Sequence, residues 1–293
     1  MSLIIVNRLF GEDTLALLPD QTFSSPDERL AFLLGNQGAD PFSLQFTSLP
    51  QVARTSHRFA HKMRRLHDGR AVTIAREATG HLIAEDRPLG RAFVLGLLAH
   101  TLLEGTTRPF VVAQRNALIA ADEELAKNQM EVAAIIESDI DSWMLMALRQ
   151  QTIEQTPTSE VLYRSEQTVR AAGALFSQIA WQVFSMDLGA DAYRGALDDC
   201  ELLYSVLDQS SPLGSAMLDQ AERVFGGLSY LRSLVHRTPQ DESCPAANTD
   251  HRVWIDPHTE AERTESFYDL YQDALNRWPA VFEAFEAGDD PFA

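Results

Sequence analysis

The chain has 293 residues, of which 45% are hydrophobic and 23% charged, and this composition excludes disordered, collagen-like and low-complexity proteins. The net charge is −18, with 24 Lys and Arg against 42 Asp and Glu. A chain with this much negative charge is expected to bind nucleic acid or an anionic membrane poorly, because electrostatic repulsion acts before any specific contact forms. The apolar stretches fall far short of the ~20 residues that a membrane span needs, so we expect a soluble protein without a transmembrane segment.

The N-terminal residues and the cysteines indicate the compartment. Four apolar residues, from Leu3 to Val6, are soon followed by charges and are too few for a signal-peptide core. Cys200 and Cys244 have no paired spacing, so we expect two buried thiols, with one bridge between them as the alternative. We therefore expect a cytoplasmic protein.

Helical periodicity dominates the chain, and alternating strand patterns are scarce. Ser25 to Glu28 has the cap, early proline and early acids of a helix start, and the Gly, Asp and Pro residues of 35–42 predict a tight loop. These patterns predict an all-α fold in a single domain over residues 1–293. The predicted helices cover 3–18, 30–34, 52–66, 71–79, 88–103, 115–126, 130–149, 160–184, 191–207, 213–235 and 260–287.

Three local features could support chemistry. His100 and Glu104 lie four residues apart on a predicted helix, where they would share one face and could bind one metal ion, or form an ordinary surface pair. His57 and His61 also share a face, although the surrounding arginines equally indicate a solvated basic surface. Glu137 follows an apolar run, so its carboxylate could be buried and paired instead of lying on the wet face of its helix.

In chain order, several segments resemble the zinc-dependent phospholipase C family of bacteria, which is related to the fungal zinc nucleases. The clearest are Leu-Leu-Gly-Asn-Gln-Gly-Ala-Asp-Pro-Phe over 33–42 and the helix that contains His100 and Glu104. The similarity covers most of the chain. Its segments are 7–11, 33–42, 93–104, 108–110, 133–139, 254–257 and 265–270.

The resemblance implies a phospholipase C-like multi-helix bundle around a central cavity, in which up to three zinc ions cleave phosphodiesters. At positions matching one metal, this chain has Asp40, His61, His100 and Glu104, and His57 is the competitor of His61. Glu104 is one methylene longer than the usual Asp.

The other two metal positions are degraded. Three residues, Asn7, Arg108 and Ala133, stand where the family has histidines, which leaves Glu137 as a remaining metal ligand. A guanidinium at Arg108 could replace a missing metal ion by pairing with Glu137.

Two functions follow from the resemblance. The first is a phosphoester hydrolase with a single zinc ion, in which Asp40 is a metal ligand or general base and Arg108 holds the phosphate of a small molecule or lipid headgroup. Such an enzyme would need substitute ligands, for example His81 or His236. The alternative is a catalytically inactive relative that binds no zinc and serves as a binding or regulatory scaffold, with Arg108 and Glu137 paired in place of a metal.

Overall fold

Apolar residues at helical spacing fold the described part of the chain into nine α-helices, which confirms the all-α prediction. A computed structural model describes residues 3–66, 68–122, 124–162, 164–208, 233–239 and 243–292. The predicted helix over 213–235 lies almost wholly outside these residues. The helices are α1 (Ile4–Ala16), α2 (Pro26–Gly35), α3 (Pro50–Met63), α4 (Arg70–Thr79), α5 (Arg87–Ala121), α6 (Gln129–Arg149), α7 (Glu166–Phe184), α8 (Ala192–Leu207) and α9 (Phe267–Ala287).

Side-chain caps set where several helices begin. The Ser25 hydroxyl accepts a hydrogen bond from the backbone N–H of Glu28 at 3.2 Å, and Pro26 occupies the first turn of α2, as predicted. Ser165 caps α7 in the same way by accepting from Thr168 N at 3.1 Å. This cap explains why α7 begins after the predicted residue 160, since the chain first forms a short 3₁₀ helix at Thr158–Leu162.

Helix α5 runs unbroken for 35 residues, although the sequence predicts two helices in this region. Pro109 lies inside it, where a proline removes one backbone hydrogen bond and crowds the preceding turn. The next two residues, Phe110 and Val111, are buried. Their burial stabilises the helical backbone beyond the proline and offsets its cost.

A short antiparallel hairpin precedes α9, where the sequence predicts helix from residue 260. Trp254–Ile255 pairs with Glu262–Arg263, and strands of two residues are too short to show an alternating pattern. Ser266 then starts α9, because its hydroxyl accepts from Asp269 N while the Asp269 carboxylate accepts from Ser266 N at 2.8 Å.

The chain divides into two compact units, each assembled from three separate segments. The first unit is Met1–Val6, Thr106–Val161 and Leu202–Gln272. The second unit is Asn7–Gly105, Leu162–Glu201 and Asp273–Ala293.

Each unit has its own aromatic core. In the first unit, the Phe110 ring packs edge-on against Trp254 at 5.4 Å between centroids. In the second, Phe42 lies 5.2 Å from Phe59 and 5.3 Å from Phe176. This core of the second unit fixes the loop that contains Phe42 against the helices beside it.

Two further predictions concern membrane-spanning helices and the two cysteines. None of the helices there is both long enough and apolar enough to cross a membrane. Cys200 and Cys244 are both buried and unbridged, as predicted, and burial raises the pKa of the Cys200 thiol far above its ordinary value.

Candidate functional site: a carboxylate and guanidinium cluster

Glycines bring α2, the following loop and α5 into close contact within the second unit. A Cβ at Gly96 would lie 2.0 Å from the Phe32 carbonyl oxygen, so the two helix backbones touch there. Gly38 has φ +53°, and a Cβ on it would lie 2.4 Å from the His100 ring. Because only glycine fits at both places, the loop backbone lies directly against His100 and places Asp40 beside it.

Asp40 is buried and bonded to Arg64, the C-cap residue that follows α3. The guanidinium donates to the same oxygen, Asp40 Oδ1, from Nε at 2.9 Å and from Nη2 at 2.8 Å. Nη2 also donates to the Ser43 hydroxyl at 2.9 Å, and Asn7 Nδ2 approaches Asp40 Oδ2 at 3.5 Å. Asp40 is therefore neutralised by a cation of the chain itself.

This pairing controls the charge of Asp40. Burial alone would raise the pKa of the carboxyl, but the neighbouring Arg64 and His100 charges outweigh burial and lower the pKa to about 2. Asp40 is consequently ionised at neutral pH, and a carboxylate with so low a pKa is a weak general base.

His100 is oriented by a backbone acceptor. Its Nδ1 lies 2.9 Å from the Asn36 carbonyl oxygen, and because a carbonyl only accepts, Nδ1 must be the donor. In the neutral ring Nε2 is then an acceptor. Glu104 lies one turn further along α5 on the same side.

A pocket of about 40 Å³ connects these side chains. This volume accommodates about three water molecules, so it has the scale of an ion or a few waters and is far smaller than ligand pockets, which span roughly 300 to 1,000 Å³. The lining residues include Asp40, Arg64, His100 and Glu104, together with Ala39, Met63, Leu66, Asp68, Ala71, Thr101 and Gly105. The structure thus brings together three of the predicted metal ligands, Asp40, His100 and Glu104.

His61 and Glu137 lie elsewhere. His61 is exposed on α3, and neither it nor His57, whose Nε2 donates to the Gln45 backbone carbonyl oxygen at 2.8 Å, lines the pocket. The structure places Arg64, and not His61, beside Asp40. Glu137 is buried on α6 and Arg108 is half-buried on α5, both within the first unit. Their predicted pairing stays a prediction.

The cluster does not fit a zinc ion as its residues are arranged. Zinc in proteins takes three or four nitrogen, sulfur or oxygen ligands, and within the described ranges no group of three or more His, Cys, Asp and Glu side chains is arranged to hold a metal. A guanidinium, which cannot ligate a metal, is bonded to the central carboxylate instead.

A second charged cluster, in the first unit, was not predicted. His236 is buried between two carboxylates, with Nε2 3.2 Å from Asp141 Oδ2 and Nδ1 4.0 Å from Asp208 Oδ1. Thr158 donates to Asp208 at 3.0 Å, so its oxygen is available to accept from His236 Nδ1 at 3.2 Å. Tyr204 stacks on the imidazole at 5.6 Å.

This second cluster anchors the start of α1 within the first unit. Asp141 Oδ1 accepts from Val6 N at 2.8 Å and Oδ2 from Ile5 N at 3.2 Å, which caps two backbone donors in the first turn. Burial alone would lower the pKa of His236, but the hydrogen bonds and charges of Asp141 and Asp208 raise it to about 9. The imidazole is therefore a buried cation at neutral pH, and its contacts are those of a structural ion pair.

A larger groove in the first unit, of about 560 Å³, is lined mostly by side chains that carry no charge. Its ionisable lining residue is Arg252, which pairs with Asp250 at 2.8 Å. The other lining residues are Ala113, Gln114, Asn116, Ala117, Pro245, Asn248, Val253, Trp254, Ile255 and Pro257. The Asp40 cluster is therefore the better candidate for a functional site.

Comparison with known proteins adds no relative: no family model matches the chain, and neither the curated proteins nor the solved structures contain a match.

Proposed function

We propose that the chain is a helical binding module of the zinc-dependent phospholipase C type whose centre no longer holds catalytic metal. The observation that carries the proposal is the pair of hydrogen bonds from Arg64 to a single oxygen of Asp40. In the family that the sequence resembles, the Asp at this position binds zinc. Here the positive charge that Asp40 requires comes from an arginine.

The properties of Asp40 and its pocket support this proposal. Hydrolysis of a phosphodiester needs a group that deprotonates water, and a carboxyl with a pKa of about 2 does so poorly at neutral pH. A pocket of about 40 Å³ is also too small to enclose a phosphodiester with its substituents. The module would therefore bind its partner on its surface.

Metal content and activity, measured together, test the proposal. Protein purified without chelators should contain much less than one zinc ion per chain by elemental analysis, and zinc addition should give no turnover of phosphodiesters or phosphomonoesters. About one zinc per chain, lost in His100→Ala and accompanied by turnover in the wild type, would overturn it. Circular dichroism of His100→Ala shows whether a loss of zinc reflects the ligand or the fold.

A phosphoester hydrolase with one zinc ion is the second candidate, and the orientation of His100 favours it. Zinc-binding imidazoles usually donate their second N–H to a carbonyl or carboxylate, as His100 Nδ1 does to Asn36. Zinc binding by Asp40, His100 and Glu104 would require Arg64 to leave Asp40. The substrate would then be a phosphoester small molecule or a lipid headgroup.

We also propose that the protein works in the cytoplasm. Cys200 and Cys244 are free, buried thiols, which suits a reducing compartment.

A further inference from the structure

The segment around α3 is basic in an otherwise acidic chain. Residues 41–67 contain no Asp or Glu, although the whole chain has 42 of them. The same segment contains five cationic side chains, Arg54, Arg58, Lys62, Arg64 and Arg65. So local a concentration of positive charge creates an attractive field on a molecule that repels most anions.

The geometry of α3 places these charges on one outer face. Arg54, Arg58 and His61 follow each other at four and three residues, so they line one side of the helix, and all three are exposed. The opposite side is buried through Phe59 and Ala60. From Arg54 to His61 the row spans about 10 Å, and the exposed Arg65 follows in the turn that ends the helix. We call Arg54, Arg58, His61 and Arg65 the basic row.

The arginines of the basic row lack acidic partners within the described part of the chain. Arg54, Arg58 and Arg65 form no ion pair there, whereas most arginines elsewhere in the second unit do. Those paired with carboxylates in this unit are Arg8, Arg64, Arg70, Arg91, Arg164, Arg170, Arg194 and Arg277. Three neighbouring unmatched guanidinium groups are thus available to an external anion.

Large apolar side chains are exposed beside this row. Phe46 is 53% exposed and Leu49 75% exposed in the segment that leads into α3. An exposed Phe close to unpaired Arg fits the composition of a protein interface, where aromatic residues and Arg are enriched.

We propose that the basic row and the apolar side chains beside it form a docking surface for an acidic helical segment of a partner protein. Carboxylates repeating at i, i+4 and i+7 on such a helix would match the spacing of Arg54, Arg58 and His61. Guanidinium groups bind carboxylates through two parallel hydrogen bonds, and arginine is enriched at protein interfaces whereas lysine is depleted. The row contains arginines but no lysine, which favours a protein partner over an anionic lipid surface. The proposal holds whether or not the Asp40 cluster binds zinc.

Binding of a labelled synthetic peptide tests the proposal. The probe is a helical peptide with Glu at i, i+4, i+7 and i+11 and Leu on the adjoining face, and its binding to the full chain is followed by fluorescence anisotropy. A second peptide of the same composition has its Glu residues out of register. The test variant is the triple substitution R54E/R58E/R65E. The matched control is R29E/R87E/R277E, which changes the net charge equally at exposed arginines outside the row.

We expect the in-register peptide to bind the wild type and the control variant alike, and the R54E/R58E/R65E variant at least about tenfold more weakly. The out-of-register peptide should bind the wild type more weakly than the in-register one. If both triple variants lose binding equally, or if the two peptides bind the wild type equally well, binding depends on net charge alone and the proposal is overturned. Binding to vesicles that contain phosphatidylserine, without binding to the peptide, would overturn it in favour of a lipid surface. Circular dichroism confirms that both variants are folded.

Discussion

Two nitrogen atoms of Arg64 donate to one oxygen of Asp40, at 2.9 and 2.8 Å, in the interior of the second unit. The carboxylate side chain is only 2% exposed and the guanidinium side chain 14%. A pair this far from water depends on both members, because either charge alone would be buried without compensation.

Removing the guanidinium should therefore destabilise the fold strongly. We expect Arg64→Met to lower the free energy of unfolding by about 3 to 5 kcal/mol, since it leaves the Asp40 carboxylate buried and unpaired. The control is Arg65→Met, next to it on the exposed surface, which should change stability by no more than about 0.5 kcal/mol. Urea unfolding of the two variants measures the difference, and equal stabilities would contradict the role given to the pair.

Replacing the same arginine by histidine should create a metal site. Arg64→His would remove the internal cation and provide an imidazole beside Asp40, His100 and Glu104, which completes a ligand set of the kind zinc prefers. We expect this variant to bind about one zinc ion per chain in isothermal titration calorimetry, where the wild type binds none. The double variant Arg64→His/His100→Ala should lose the gained affinity. Zinc binding that survives in the double variant would place the metal somewhere else.

The buried His236 predicts a loss of stability on the alkaline side. Its pKa is raised from 6.5 to about 9 in the folded chain, so folding favours the protonated imidazole. The stabilisation is fully present below pH 6.5 and is lost as the pH rises through about 9.

Unfolding measured from pH 6 to 10 in the wild type and in His236→Gln tests this dependence. The variant should be less stable near neutral pH and should lack this alkaline decline, because Gln does not titrate. A decline of the same size in both proteins would assign it to other groups.

Two glycines of α5 should respond to alanine in opposite directions. Gly96→Ala places a methyl group 2.0 Å from the Phe32 carbonyl oxygen, so we expect the helices to separate at a cost of about 1 to 3 kcal/mol. Gly105→Ala meets no atom within 4 Å, and it should stabilise the helix by about 1 kcal/mol. Thermal unfolding compares the two. A neutral Gly96→Ala would mean that the helix backbones do not touch as closely as described.

The sequence predicts the helices well because their apolar residues repeat at the spacing of buried faces. It fails where tertiary packing decides the outcome. Burial of Phe110 and Val111 carries α5 through Pro109, and a hairpin of two-residue strands leaves no periodic pattern to detect.

Arg64 lies beside Asp40, at the place where the sequence predicts His61. A search for metal ligands favours an imidazole and so selects His61, which lies on the exposed face of α3. Arg64 follows the buried Ala60 by four residues and therefore lies on the buried side of the helix, where its charge needs a partner. The position of each residue around the helix therefore indicates Arg64 as the partner of Asp40, whereas residue type alone indicates His61. The second cluster could not be found this way, because Asp141 and His236 are far apart in sequence and only the fold brings them together.

The bond between Arg64 and Asp40 also affects how the protein depends on its surroundings. A zinc ion must be acquired from the environment, and a protein built around one unfolds when the metal is scarce or removed by a competing chelator. The guanidinium is synthesised with the chain, stays charged throughout the physiological pH range and cannot be exchanged. If the centre holds no metal, as proposed, the folding of the second unit does not depend on the supply of zinc.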